Sequence, residues 1–116
     1  MNQLIIEVIE SYNNYIALLP IGCLNIANSF RDEQLQKGLT DIKDFSEGVI
    51  WVIEVADLLQ KNEIRVETYI EKIQGFLVEI NEALENEDYI LVADLFEYEI
   101  APYFEAYPQI VLSYES

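Results

Sequence analysis

Apolar residues recur at intervals of three and four across residues 4–104. That spacing constrains the fold more than any other feature, because it aligns side chains along one face of a 3.6-residue helix and scatters them on a strand. Over residues 2–19, a step of about 100° per residue places Leu4, Val8, Tyr12, Tyr15, Ile16 and Leu19 on one side, with Glu7, Glu10, Asn13 and Asn14 opposite. Pro20 and Gly22 predict a break or kink at the end of this helix, since proline lacks a backbone donor and clashes with the preceding turn. A short second helix is expected next, with Cys23, Ile26, Ala27 and Phe30 on one face and the lone Cys23 in the core. The two would act together as one broken rod.

Asp32 is placed to cap a long third helix reaching about Gln60, whose main stripe is Leu35, Leu39, Ile42, Phe45, Val49, Ile53, Ala56 and Leu59. At a rise of ~1.5 Å per residue this is a rod of about 40 Å. Trp51, Val55 and Leu58 fall on its other side, so the second half of the helix is either central or part of an interface. Residues 63–84 predict a fourth helix with Val66, Tyr69, Ile70, Ile73, Phe76, Leu77, Ile80 and Leu84 in a narrow arc. Asn86-Glu87-Asp88 reads as turn plus N-cap, and the last helix runs from Tyr89 to Pro102 or slightly beyond. The tail, residues 109–116, is the one stretch that leaves helix, strand and flexible chain open. The fold class expected is all-α: an up-and-down bundle of four to five helices in a single domain spanning residues 1–116.

With 52% hydrophobic residues, the chain can bury a core and is not intrinsically disordered. Residues 1–9 lack the basic region and unbroken apolar run of a secretion signal, so no export is expected. Residues 49–59 are about half of the ~20 apolar residues needed to cross a bilayer and include Glu54 and Asp57, so no membrane span is expected either. A cytoplasmic protein is the expectation. Six basic residues against 22 acidic ones give a net charge of −16, which opposes binding to nucleic-acid phosphates or anionic membrane surfaces.

The charge is uneven: residues 73–116 hold ten acids and no base, together with Tyr89, Tyr98, Tyr103, Tyr107, Tyr114, Phe96 and Phe104. Acid beside aromatic suits a surface that steers and grips a basic partner. Tyr98, Tyr103 and Tyr107, with Trp51, Val55 and Leu58, are therefore the candidate interaction residues. Glu99 and Asp57 fall by angle near apolar stripes and are candidate buried acids.

Catalysis and cofactors find no support. With no histidine, the Glu-x-x-His ligand sets of di-iron bundles cannot be assembled, and Asp41, Asp44 and Glu47 lack the glycine-centred loop of a calcium site. Cys23 and the serines have no histidine base, and no glycine-rich phosphate loop occurs. A non-enzyme without metal or cofactor is expected.

The runs Ala83-Leu84-Glu85, Asp88-Tyr89, Leu91-Val92-Ala93-Asp94-Leu95 and Glu97-Tyr98-Glu99-Ile100-Ala101-Pro102 resemble those of small, acidic, uncharacterised helical proteins of Gram-positive bacteria. So does Asp44-Phe45-Ser46-Glu47-Gly48-Val49-Ile50-Trp51. The resemblance spans about half the chain and implies a helical fold without an activity. In size and helicity alone the chain is also similar to flagellar export chaperones, bundles that hold a partner's terminal helix in a groove. The expected function is a protein-interaction module that binds a partner, itself, or both, in a chaperone-like way. The alternatives are an acidic decoy for a basic or nucleic-acid-binding partner and a bundle binding metal or ligand through inward carboxylates.

Overall fold

The computed structural model describes residues 2–111. Helix α1 spans Gln3–Arg31, α2 Leu35–Lys61 and α3 Ile70–Glu85. A final rod is built from α4 (Tyr89–Asp94), a wide π-helical turn (Leu95–Ile100) and α5 (Ala101–Glu105), continuous through right-handed helical backbone at both joins. The chain is an all-α bundle, 53 × 21 × 21 Å.

Side-chain pairings fix the directions. The ring of Phe30 on α1 lies against Gly38 on α2, and Tyr15 meets Gly48 and Trp51, so α1 and α2 are antiparallel. Phe30 stacks on Tyr89 and the Tyr12 hydroxyl bonds that of Tyr107, so the final rod also runs antiparallel to α1. Phe76 on α3 stands edge-on to Tyr103, completing the up-and-down order. Helix α1 packs on α2 and on every segment of the final rod, whereas α3 packs chiefly on α4. The core joins Ile9, Tyr12, Ile16, Leu19, Cys23 and Ile26 of α1 to Val49, Val52 and Leu59 of α2 and to Phe96, Ile100 and Phe104 of the rod.

Pro20 does not break α1. It sits inside a single 29-residue helix, and the buried stripe of Ile16, Leu19, Cys23, Ile26 and Phe30 passes it without a change of phase. An interior proline costs about 3 kcal/mol, and each large apolar side chain buried returns about 1.5–3 kcal/mol. The stripe therefore outweighs the missing donor to the Ile16 carbonyl.

Asp32 does not cap α2. It closes α1 instead, its N–H donating to the Asn28 carbonyl at 2.9 Å, and α2 starts at Leu35 with no side-chain cap. The cap expected at Asp88 does form, its carboxylate accepting from the Leu91 N–H at 3.1 Å.

Each of the three long helices ends in the same backbone motif. Glu33, Glu63 and Glu87 adopt φ of 61°, 63° and 53°. Around them run paired 5→2 and 6→1 bonds: Glu33 N–H to Phe30 O and Gln34 N–H to Ser29 O, then Glu63 to Gln60 and Ile64 to Leu59, then Glu87 to Leu84 and Asp88 to Ala83. These are Schellman closures. Glycine, their usual occupant, lies at none of them: all four glycines sit within helices.

Residues 62–69 are not the first turns of a helix. They pass through a turn into an irregular, non-helical segment in which Ile64 and Thr68 are half-buried, Val66 is buried and Arg65, Glu67 and Tyr69 are exposed. This is a period of two on β-branched residues. Gln60 Nε2 donates to the Val66 carbonyl at 3.0 Å, and the Tyr107 hydroxyl donates to Thr68 Oγ1 at 2.8 Å.

Pro102 neither ends nor follows a regular last helix. The π turn precedes it, with the Ala101 N–H reaching back five residues to the Phe96 carbonyl. The wider turn admits a residue that cannot donate to the carbonyl four back. The tail is ordered as far as the description extends: Ile110 is buried, and Asn13 bonds both its backbone N–H and its carbonyl. Residues 112–116, including Tyr114, lie outside the described residues.

Candidate functional site

An open groove of about 440 Å³ lies between α1 and α2, comparable in volume to a second hollow of about 450 Å³ lined by residues 68–72. Helix α1 contributes Tyr15, Leu18, Leu19 and Gly22, and α2 contributes Lys37, Asp41, Asp44 and Phe45. Two glycines shape it. At Gly22 an added Cβ would meet nothing within 4 Å, so the missing side chain leaves a notch in the α1 wall. At Gly48 a Cβ would collide with the Tyr15 hydroxyl, so this glycine lets Tyr15 lie against the α2 backbone. Tyr15 in turn stands edge-on to Trp51, with ring centroids 5.8 Å apart at 80°. Burial, then the nearby Cys23 thiol and Asp44 carboxylate, raises the Tyr15 pKa, so its hydroxyl stays a donor at neutral pH.

The two walls differ in charge. Residues 11–30, which form most of α1, contain no charged side chain in a chain of net charge −16. Its solvent face exposes Leu18 (65%) and Ile21 (63%). The α2 wall is ionic: Lys37 Nζ lies 2.8 Å from Asp41 and 3.4 Å from Ser29 Oγ, so two of its three donors are engaged. Asp44 has no ion-pair partner among the described residues, which leaves the rim anionic.

The candidate interaction residues do not form one surface. Trp51 is half-buried against Tyr15, beside the groove, and Leu58 is 54% exposed. Val55 is buried in the core and is corrected from a surface role. Tyr107 is likewise buried, and Tyr103 is half-buried in an aromatic cluster with Phe76, Phe104 and Tyr107, so neither is an open contact. Tyr98 alone of these tyrosines faces solvent, at 66% exposure.

Neither Asp57 nor Glu99 is buried. Asp57 is exposed and pairs with Lys61 at 2.9 Å, because it lies at the margin of a stripe whose neighbour Ile53 is itself only half-buried. Glu99 is exposed on the wall of a smaller hollow, about 240 Å³, shared with Glu79, Glu82 and Asp88. The π turn has shifted the helical phase between Leu95 and Ile100, rotating Glu99 outward. Ser29 is the single buried polar side chain among the described residues, so the inward carboxylates of the ligand-binding alternative are not formed.

Sequence reasoning missed three polar devices. Asn13, read as part of a solvated face, holds the tail, and Gln109 Nε2 adds a bond to the Asn13 carbonyl at 3.3 Å. The Tyr12 and Tyr107 hydroxyls, 3.1 Å apart, continue to Thr68 as a buried chain joining α1, the extended segment and the C-terminal end. Burial, then the hydrogen bond to Tyr107, raises the Tyr12 pKa. Arg31 bridges Asp94 at 3.0 Å and Glu97 at 3.2 Å, fastening the end of α1 to the final rod.

No helix among the described residues is long and apolar enough to cross a membrane. Residues 7–110 match the family described as Domain of unknown function (DUF8042). No curated protein and no solved structure matches the chain.

Proposed function

We propose, on the premise that the chain belongs to the family Domain of unknown function (DUF8042), that it is a non-catalytic protein-interaction module whose docking surface is the α1–α2 groove and the adjoining face of α1. One observation carries this reading: the only long charge-free stretch of a strongly acidic chain, residues 11–30, presents Leu18 and Ile21 to solvent beside an open concavity. Exposed apolar side chains rimmed by polar groups mark interaction sites, and an unpaired Asp44 on the opposite wall supplies orientation. The same reading takes the protein to be cytoplasmic and bacterial, as its composition and resemblance imply.

Photo-crosslinking in cells that express the chain tests it. A photoreactive residue at Leu18 or Ile21 should give a discrete adduct, and one at Val78, an exposed apolar position on α3, should not. Adducts of equal yield at all three positions, or none at Leu18 and Ile21, would remove the groove from the reading. An adduct of twice the chain's own mass would identify the partner as a second copy.

A further inference from the structure

We propose that the occupant of the α1–α2 groove is a cationic amphipathic helix of a partner protein. The inference rests on the docking reading above and adds the chemistry of what docks.

Shape comes first. The groove follows α1 from Tyr15 to Ile26, about 16 Å at ~1.5 Å per residue, which matches three turns of a helix. Its floor of Leu19, Ile26 and Phe45 is apolar, as required for anchors spaced at i, i+3, i+4 and i+7. The notch at Gly22 has room for one of those anchors to enter beyond the plane of the α1 side chains.

Charge then selects among helices. The groove's one base, Lys37, is held by Asp41 and Ser29, while Asp44 is unpaired and the α1 wall is neutral. The lining holds two acids against one base, so the groove's net charge is negative. A helix with lysine or arginine flanking its apolar stripe would pair with Asp44 and be drawn in by the field of −16 charges. A second copy brings the same −16 and meets repulsion instead.

A synthetic fourteen-residue peptide of leucine and lysine, its leucines on one helical face, serves as the probe. Titrated into the full chain, it should bind one to one. The single Trp51, edge-on to the groove residue Tyr15, reports the event by fluorescence. Affinity should fall at least about tenfold between 0.05 and 0.5 M salt. Gly22→Leu, which fills the notch, and Asp44→Lys should each weaken binding about tenfold or more, and Glu82→Lys on α3 should change it by less than about twofold. If Gly22→Leu loses its helical circular dichroism, Leu18→Ser, which removes an exposed apolar contact without adding charge, carries the same test.

Three results would overturn the proposal: no saturable binding, equal binding of a peptide with the same composition and leucines distributed around the helix, or equal loss with Glu82→Lys and Asp44→Lys. If Leu18 crosslinks a partner in cells and the cationic peptide does not bind, the docking reading stands and the assigned chemistry falls. If both fail, both are withdrawn.

Discussion

Asn13 holds Ile110 by both of its backbone groups: Oδ1 accepts the Ile110 N–H at 2.8 Å and Nδ2 donates to the Ile110 carbonyl at 2.9 Å, across 97 residues of sequence. One side-chain amide thus supplies what a neighbouring strand would supply. Asn13→Ala should cost about 1–3 kcal/mol, because it leaves a part-buried donor and acceptor unpaired. Asn13→Asp, which retains the acceptor alone, should cost less. Urea midpoints and amide exchange at Ile110 check both; an unchanged Ile110 exchange rate in Asn13→Ala would show the clamp to be incidental.

Glu33, Glu63 and Glu87 hold the left-handed position of three helix closures, where a side chain with a Cβ is strained by about 1 kcal/mol. Replacing each with glycine should stabilise the fold by about 0.5 kcal/mol, the relief of strain exceeding glycine's added unfolded-state entropy. Glu63 lies at the opposite end of the bundle from Glu33 and Glu87, which the Phe30–Tyr89 stack brings to one end, so its change should add to theirs. Chemical denaturation of the triple variant should show a midpoint above that of the parent with an unchanged slope.

Gly48 and Gly75 are both interior to helices and should respond in opposite directions. Gly75 has nothing within 4 Å of an added Cβ, so Gly75→Ala should stabilise by roughly 0.5–1 kcal/mol through helix propensity. Gly48→Ala must displace the Tyr15 ring and should destabilise by about 1–3 kcal/mol. Because Tyr15 stands against Trp51, Gly48→Ala should also shift the tryptophan emission, and Gly75→Ala should not.

Burial pushes the Cys23 thiol up to about 12, so almost no thiolate exists at pH 8. A thiol reagent should label the native protein slowly at that pH and rapidly once urea unfolds it. Fast native labelling would place Cys23 outside the core.

The alkaline limit of stability should be set by tyrosines. Burial raises the pKa of Tyr12 and Tyr103 in the fold, while in the unfolded chain both ionise near pH 10. Below pH 10 both states keep the phenolic protons and stability is insensitive to these groups. Above it the unfolded state binds fewer protons, so stability falls by up to about 1.4 kcal/mol per pH unit for each such tyrosine. Thermal melts across pH 8–12, read beside phenolate absorbance, should show the two tyrosines ionising only as the fold is lost.

Helix faces were legible because a 3.6-residue period survives wherever one side is buried, as from Tyr12 to Phe30 and from Ile73 to Ile80, whereas buried Ile9 was passed over and exposed Leu4 was placed inward. The π turn was not, since it changes the period itself and so misplaces every angle counted past Leu95, Glu99 included. The alternation of Ile64, Val66 and Thr68 was missed, because its apolar members also fit a helix extending back from Ile70. The groove was legible only in part. Trp51 signalled its neighbourhood, but the notch at Gly22 and the slot at Gly48 are defined by what packs across from a missing side chain, and local pattern does not encode that. Asn13 looked solvated because its partners are backbone atoms 97 residues away, and backbone partners leave no mark in residue types.

The pairing of α1 with the final rod also bears on synthesis. Helix α1 emerges from the ribosome well before Tyr107 and Ile110, which cover Tyr12 and Asn13 from one side. Helix α2 can shield part of the stripe as soon as it appears. The rest must wait, so the nascent chain carries an uncovered apolar strip until the final rod is made, and a chain arrested before Tyr107 would keep that strip open to nascent-chain chaperones and proteases.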